Sequence, residues 1–301
     1  MFSDSGICMT EALFDEFDHL ADLVQRLGSI PPTSPRRVSA PSPNGTVSAI
    51  AWGDGPSDFS FFHGGGLNAH SWDATIVALG RPALAWDLPG HGESEWRDDA
   101  DYRPETSAET LGFVLGSLVA KPQLLVGHSW GGLTAIELLG RSPDLVRALM
   151  LVDVTPGVEP VGGGGIGRFM DGPAAFDSRE QIVERALAHG IGRSRDALER
   201  GVQLNTRVRA DGKIVYKHHF SQMPADQRIP PWNTERCWGV LEAAAVPLLL
   251  VYGSRGYVGE ERARRFLDRV PGSQAIRVDA EHNVHQQAPE QFAQILAEFA
   301  A

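Results

Sequence analysis

Two cysteines in 301 residues, Cys8 and Cys237, are too few and too far apart for a disulfide framework, and they match no metal or redox spacing. A reducing cytoplasm is the expected setting. Basic residues are also scarce: 27 Lys and Arg against 38 Asp and Glu leave a formal charge of −11, which repels a phosphate backbone. No nucleic-acid partner is expected. No apolar run approaches bilayer-spanning length, and Met1-Phe2-Ser3-Asp4-Ser5 lacks the basic start and apolar stretch of a signal peptide. The expectation is a cytoplasmic protein with no membrane partner.

What is present suits one large buried core with a small appendage: 42% of residues are hydrophobic and 22% charged. Residues 11 to 27 place Leu13, Phe17, Leu20, Val24 and Leu27 on one stripe of a helix. That stripe docks either on the protein's own body or on a second copy, as a homodimer contact. Pro31, Pro32 and Pro35 then break the helix, so residues 1–36 stand apart as helix and linker.

From Arg37 onward extended and helical patterns alternate. Val38 to Ala40, an Asn44-Gly45 turn and Thr46 to Trp52 read as a β-hairpin. Short apolar runs follow at Phe59–Phe62, Ala83–Trp86, Leu124–Val126, Leu149–Val152, Leu248–Val251 and Ala275–Val278, which read as buried parallel strands. Helical patterns lie between most of them, at Ala108–Leu118, Leu133–Leu139, Glu260–Val270 and Pro289–Phe299. The class is α/β, doubly wound, with its core in residues 37–156 and 246–301. Residues 157–245 interrupt the alternation with helical stretches at Arg179–Ala188 and Arg195–Val202 and read as an inserted helical cap. The Gly162 to Gly165 run has no strand before it and no Lys-Ser/Thr after it, so it reads as a hinge rather than a phosphate cradle.

The chemistry concentrates in Leu124-Leu125-Val126-Gly127-His128-Ser129-Trp130-Gly131-Gly132: a strand, a sharp turn with Ser129 at its apex, then a helix. Flanking glycines relieve crowding, and the helix aims its positive N-terminal dipole at developing negative charge. Ser129 is the candidate nucleophile. Phe61-Phe62-His63-Gly64-Gly65-Gly66 runs from a strand straight into glycines, whose N–H groups can approach a substrate oxygen. Gly65 and Trp130 are the candidate oxyanion donors.

Four motifs together, His63-Gly64-Gly65-Gly66, Asp87-Leu88-Pro89-Gly90-His91-Gly92-Glu93-Ser94, Gly127-His128-Ser129-Trp130-Gly131 and Glu281-His282, resemble the α/β-hydrolase superfamily from about Arg37 to the C-terminus. The resemblance implies the α/β-hydrolase fold. That means a mostly parallel eight-stranded sheet with helices on both faces, a helical cap inserted after the sixth strand, and a Ser-acid-His triad. His282 occupies the position resembling the family's base, whereas His285 begins the next helix and reads as structural or pocket-lining. The family's common acid position, after the seventh strand, holds Tyr252-Gly253-Ser254-Arg255-Gly256-Tyr257, with Tyr257 near the slot and no aspartate. A phenol cannot supply a carboxylate's charge to the imidazolium. Asp153, at the end of the sixth strand, is the candidate acid, as in some family branches; Glu260 and then Glu261 are the alternatives.

His63 and His91 lack a second ligand at metal spacing, and His282 with His285 cannot close a zinc site, so no metal and no other cofactor is expected. His128, beside the nucleophile, reads as packing. His63, Trp72, Phe169 and Trp232 are candidate pocket residues. The resulting expectation is a serine hydrolase cleaving a carboxylic ester or lactone of a small to medium apolar molecule through an acyl-enzyme. Carbon-carbon bond hydrolysis on the same residues, or a non-catalytic ligand-binding protein, are the alternatives.

Overall fold

The computed structural model describes residues 14–28, 34–158, 172–192, 194–228 and 232–301. Its centre is an eight-stranded sheet built from β1 (Arg36–Ala40), β2 (Val47–Trp52), β3 (Phe59–Phe62), β4 (Ala83–Trp86), β5 (Gln123–His128), β6 (Val146–Val152), β9 (Leu248–Gly253) and β10 (Gln274–Val278). The spatial order is β1-β2-β4-β3-β5-β6-β9-β10. β2 pairs antiparallel with both β1 and β4, and every other neighbouring pair is parallel. Two further strands among the described residues, β7 (Thr206–Val208) and β8 (Ile214–Tyr216), form a separate antiparallel hairpin in the inserted segment.

The central strands are apolar on both faces because both faces are covered. Alternate residues feed two cores: Leu125, Leu149, Leu151 and Leu250 pack on one side of the sheet, and Leu124, Val126, Met150, Val152 and Val251 on the other. Helices Pro104–Leu118, Trp130–Arg141 and Gly259–Arg269 cover the first face; helices Asp73–Leu79 and Pro289–Phe299 cover the second.

The first helix is shorter than its stripe suggests, spanning Leu20–Leu27, and Leu13 lies outside the described residues. Residues 16–19 are turns instead. The Asp15 carboxylate accepts the Phe17 N–H at 2.9 Å, a local side-chain bond that competes with helix. The stripe nonetheless docks on the chain's own body, with Leu23 buried and Phe17, Leu20, Val24 and Leu27 packed on the second core.

In the inserted segment, helices Arg179–Ala188 and Arg195–Asn205 enclose a small core of Phe176, Ile182, Val183, Val202 and Ile214. The Gly162 to Gly165 run lies outside the described residues. Helix Thr234–Glu242, inside the span expected to be cap, packs on helix Trp130–Arg141 and joins the first core, where Cys237, Trp238 and Leu241 are buried. Among the described residues no helix is long and apolar enough to cross a membrane.

Candidate active site

Every parallel strand of the sheet ends on the same edge, where open α/β sheets collect their chemistry. Ser129 follows β5 directly there and adopts φ +51°, a left-handed conformation costly for a residue with a side chain. Hydrogen bonds hold it: the Ser129 N–H donates to the Val152 carbonyl at 3.2 Å, and the Ser129 carbonyl accepts from Gly132 and Leu133 at 2.9 and 3.2 Å. The helix that follows can press directly on β3 only because residue 131 is glycine. A β-carbon at Gly131 would lie 2.4 Å from the His63 carbonyl. The outcome is a half-buried serine at the start of helix Trp130–Arg141, whose first N–H groups have no partner within the helix.

Asp153 ends the neighbouring strand β6 and is also left-handed, at φ +47°. Its carboxylate is fully buried, and its bonds account for that burial. Oδ1 accepts the Gly253 N–H at 3.1 Å, while Oδ2 accepts the Tyr257 N–H at 2.7 Å and meets His282 Nδ1 at 2.7 Å. The amide of the last β9 residue and one from the loop after it thus hold a carboxylate that this stretch does not itself supply. A carboxylate on Nδ1 orients the ring and leaves Nε2 as the proton-accepting nitrogen. Glu260 and Glu261 are exposed on helix Gly259–Arg269, with Glu260 3.9 Å from Arg277.

Tyr257 completes the mounting of His282. Its ring lies parallel to the imidazole, with centroids 4.0 Å apart and planes inclined by 20°. On another side His128 Nε2 meets the His282 carbonyl at 3.1 Å, with the two rings 4.5 Å apart. His128 therefore bonds the backbone of the His282 loop, a more specific part than packing alone. His285 is buried behind both, its ring 4.1 Å from Trp72. Its position is structural rather than pocket-lining.

The glycine loop lies against the elbow. A β-carbon at Gly64 would sit 3.3 Å from Ser129 Cβ, and one at Gly65 3.8 Å from Trp130 Cβ. Two buried imidazoles fix this loop. His63 bonds the Gly64 carbonyl through Nδ1 at 2.8 Å and accepts the Leu88 N–H on Nε2 at 3.0 Å. His91 Nε2 accepts the Gly66 N–H at 3.1 Å. Burial pushes His63 down to about 4 and His91 down to about 3, so both stay neutral and keep the acceptor nitrogen these bonds need. From the inserted segment, Asn205 Nδ2 donates to the Gly66 carbonyl at 2.7 Å, and Asp87 Oδ1 accepts the Ala69 N–H at 2.7 Å at the loop's far end.

The expected pocket residues divide. Trp72 is fully buried in the second core against Phe61 and His285, so it is not a wall of the site; its apolar bulk is satisfied beneath the sheet. His63 is equally enclosed, its two nitrogens engaged by backbone, and shapes the loop instead of lining a pocket. Phe169 lies outside the described residues. Trp232 packs edge-on to Trp130 with centroids 5.8 Å apart, and Phe220, which sequence reasoning did not single out, packs on Trp130 at 6.2 Å. Nothing in a local pattern marks Phe220; only the return of the inserted segment over Gly65 brings it there.

Residues 61–295 match the model of the alpha/beta hydrolase family, and the chain belongs to that family. It is 35% identical over 292 residues to esterase Rv0045c of Mycobacterium tuberculosis, covering 94% of each chain. A solved structure of that esterase, refined in work on its inhibition by transition metals, superposes with a TM-score of 0.82 at 34% identity, covering 95% of this chain and 98% of that one. The mouse sn-1-specific diacylglycerol lipase ABHD11 is 30% identical over 240 residues, covering 76% of this chain and 74% of its own. The chain is an α/β-hydrolase of the ester-cleaving kind.

Proposed function

We propose that the protein is a serine hydrolase that cleaves a carboxylic ester or lactone of a small to medium apolar molecule through an acyl-enzyme. The observation that carries this reading is the His282–Asp153 contact of 2.7 Å at the sheet edge that also presents Ser129 on its left-handed turn. His282 takes the Ser129 proton as the oxygen attacks the ester carbonyl, and the buried Asp153 carboxylate stabilises the imidazolium that forms. The Gly65 and Trp130 amides receive the oxyanion. His282 then returns the proton to the leaving alkoxide. Water, deprotonated by the same imidazole, releases the acid and frees Ser129.

An apolar substrate follows from the aromatic contacts of Trp130 with Phe220 and Trp232 beside the glycine loop. The test is Ser129→Ala against an activated short-chain ester, with fluorophosphonate labelling in parallel. The expected result is loss of both turnover and labelling with an unchanged melting temperature. Wild-type turnover in Ser129→Ala refutes the assignment.

A further inference from the structure

On the face of the molecule carrying the N-terminal segment, two imidazoles converge on one carboxylate oxygen. His19 Nε2 and His70 Nδ1 each lie 2.8 Å from Asp73 Oδ2. His70 and Asp73 stand three residues apart where the short turn Ala69–Trp72 passes into helix Asp73–Leu79, so one local fold presents both. His19 arrives from the turn before helix Leu20–Leu27. One potential ligand atom from each residue lies within 4.8 Å of the others.

We infer that His19, His70 and Asp73 form a binding site for a divalent transition cation of the zinc class, which pins the N-terminal segment to the body of the protein. Two imidazoles and one carboxylate are a ligand set suited to zinc, cobalt or nickel, whereas magnesium and calcium favour oxygen alone. Two further observations favour a cation over a purely hydrogen-bonded cluster. Asp73 is buried, and its second oxygen, Oδ1, has no hydrogen-bond partner among the described residues, so the carboxylate has an unused acceptor. The far nitrogen of His70, Nε2, meets Glu16 Oε2 at 3.0 Å, and Glu16 is itself held by Arg37. A carboxylate on the distal nitrogen fixes the ring and raises the basicity of the nitrogen facing the metal, as is usual for metal-bound histidine.

The present 2.8 Å separations suit hydrogen bonds. Ligands about 2.0 Å from a tetrahedral zinc ion stand roughly 3.3 Å apart, so the cluster must open by about half an ångström. His19, on a short segment, can supply that movement. Cation binding displaces the protons that now bridge the three groups, and a fourth position is left for water or for Asp73 Oδ1.

The experiment titrates the chelator-treated full chain with ZnCl2 by calorimetry and reads Co2+ absorption at the same site. One ion per chain is expected, with a rise in melting temperature and slower proteolysis near residues 16–27. His19→Ala removes a ligand at the periphery, and its fold is checked by circular dichroism without metal. It should abolish the stoichiometric site, and Glu16→Gln should weaken it by about 10- to 100-fold. Unchanged zinc affinity in His19→Ala, or no stoichiometric binding to the wild-type chain, overturns the inference. X-ray absorption on the zinc-loaded wild type must show two imidazoles; a spectrum with none also overturns it.

Discussion

Gly256 faces the Asp153 carboxylate so closely that a β-carbon on it would lie 2.2 Å from Oδ1 and 2.5 Å from Oδ2. The loop after β9 makes room for a carboxylate delivered from β6. Gly256→Ala should therefore push the carboxylate from beneath His282. A displacement near 1 Å in such a group costs about 100-fold in rate. Steady-state kinetics on an activated ester should show that loss in kcat with little change in KM. A wild-type kcat would mean the carboxylate has no fixed place in catalysis.

Asp153→Asn keeps the size of the side chain and removes its charge. The amides of Gly253 and Tyr257 bond different oxygens, so only one of them keeps an acceptor and the other faces the new NH2 group, while the imidazolium loses its counter-charge and the ring its enforced tautomer. kcat should drop by about 10⁴-fold, the scale known for such a change in serine proteases. A decrease of less than tenfold would assign the acid to another residue.

Tyr257 is informative because its ring and its amide act separately. Tyr257→Phe keeps the stack on His282 and should leave kcat within about twofold. Tyr257→Ala keeps the amide bond to Asp153 but removes the stack, which is worth about 0.5–1.5 kcal/mol, or roughly 2- to 10-fold in rate. Equal kinetics for the Phe and Ala variants would rule out any role for the ring.

Acid should destabilise the fold well before its carboxylates titrate. Burial lowers His63 to about 4 and His91 and His285 to about 3, and drives His128 and His218 well below the ordinary histidine value. The unfolded chain, with histidines near 6.5, binds protons that the folded chain refuses. Their stabilisation is complete above about pH 6.5 and is lost as pH falls toward the folded values. Each contributes a slope of about 1.4 kcal/mol per pH unit in that window. Urea denaturation between pH 7 and 5 should reveal an uptake of several protons on unfolding. A flat profile would show that the buried rings already carry charge.

Much of the sheet is legible in the sequence. Phe59–Phe62 and Ala83–Trp86 have the bounds their apolar runs imply, as does helix Pro289–Phe299. Asp153 and His282, named from the ends of the sixth and last sheet strands, do meet. Periodicity identifies which face is apolar but not what covers it. Trp72 has the composition of a pocket wall and lies in the core, and helix Thr234–Glu242 sits in the stretch expected to be cap but packs on helix Trp130–Arg141 in the first core. Helix Asp73–Leu79 and the β7–β8 hairpin are too short to leave a clear pattern. The duties of Gly256 and Tyr257 depend on a contact across more than a hundred residues, which no local window contains.

Ser129 and Asp153 terminate adjacent parallel strands, with His128 opposite Val152 in the register, whereas His282 follows β10 at the margin of the sheet. The first two therefore belong to one cooperative unit and persist until the central strands separate. His282 can depart when the outer strand frays, because margins open at lower free energy than centres. Mild denaturant should silence the enzyme while its elbow is still folded, and dilution should restore it without a refolding delay.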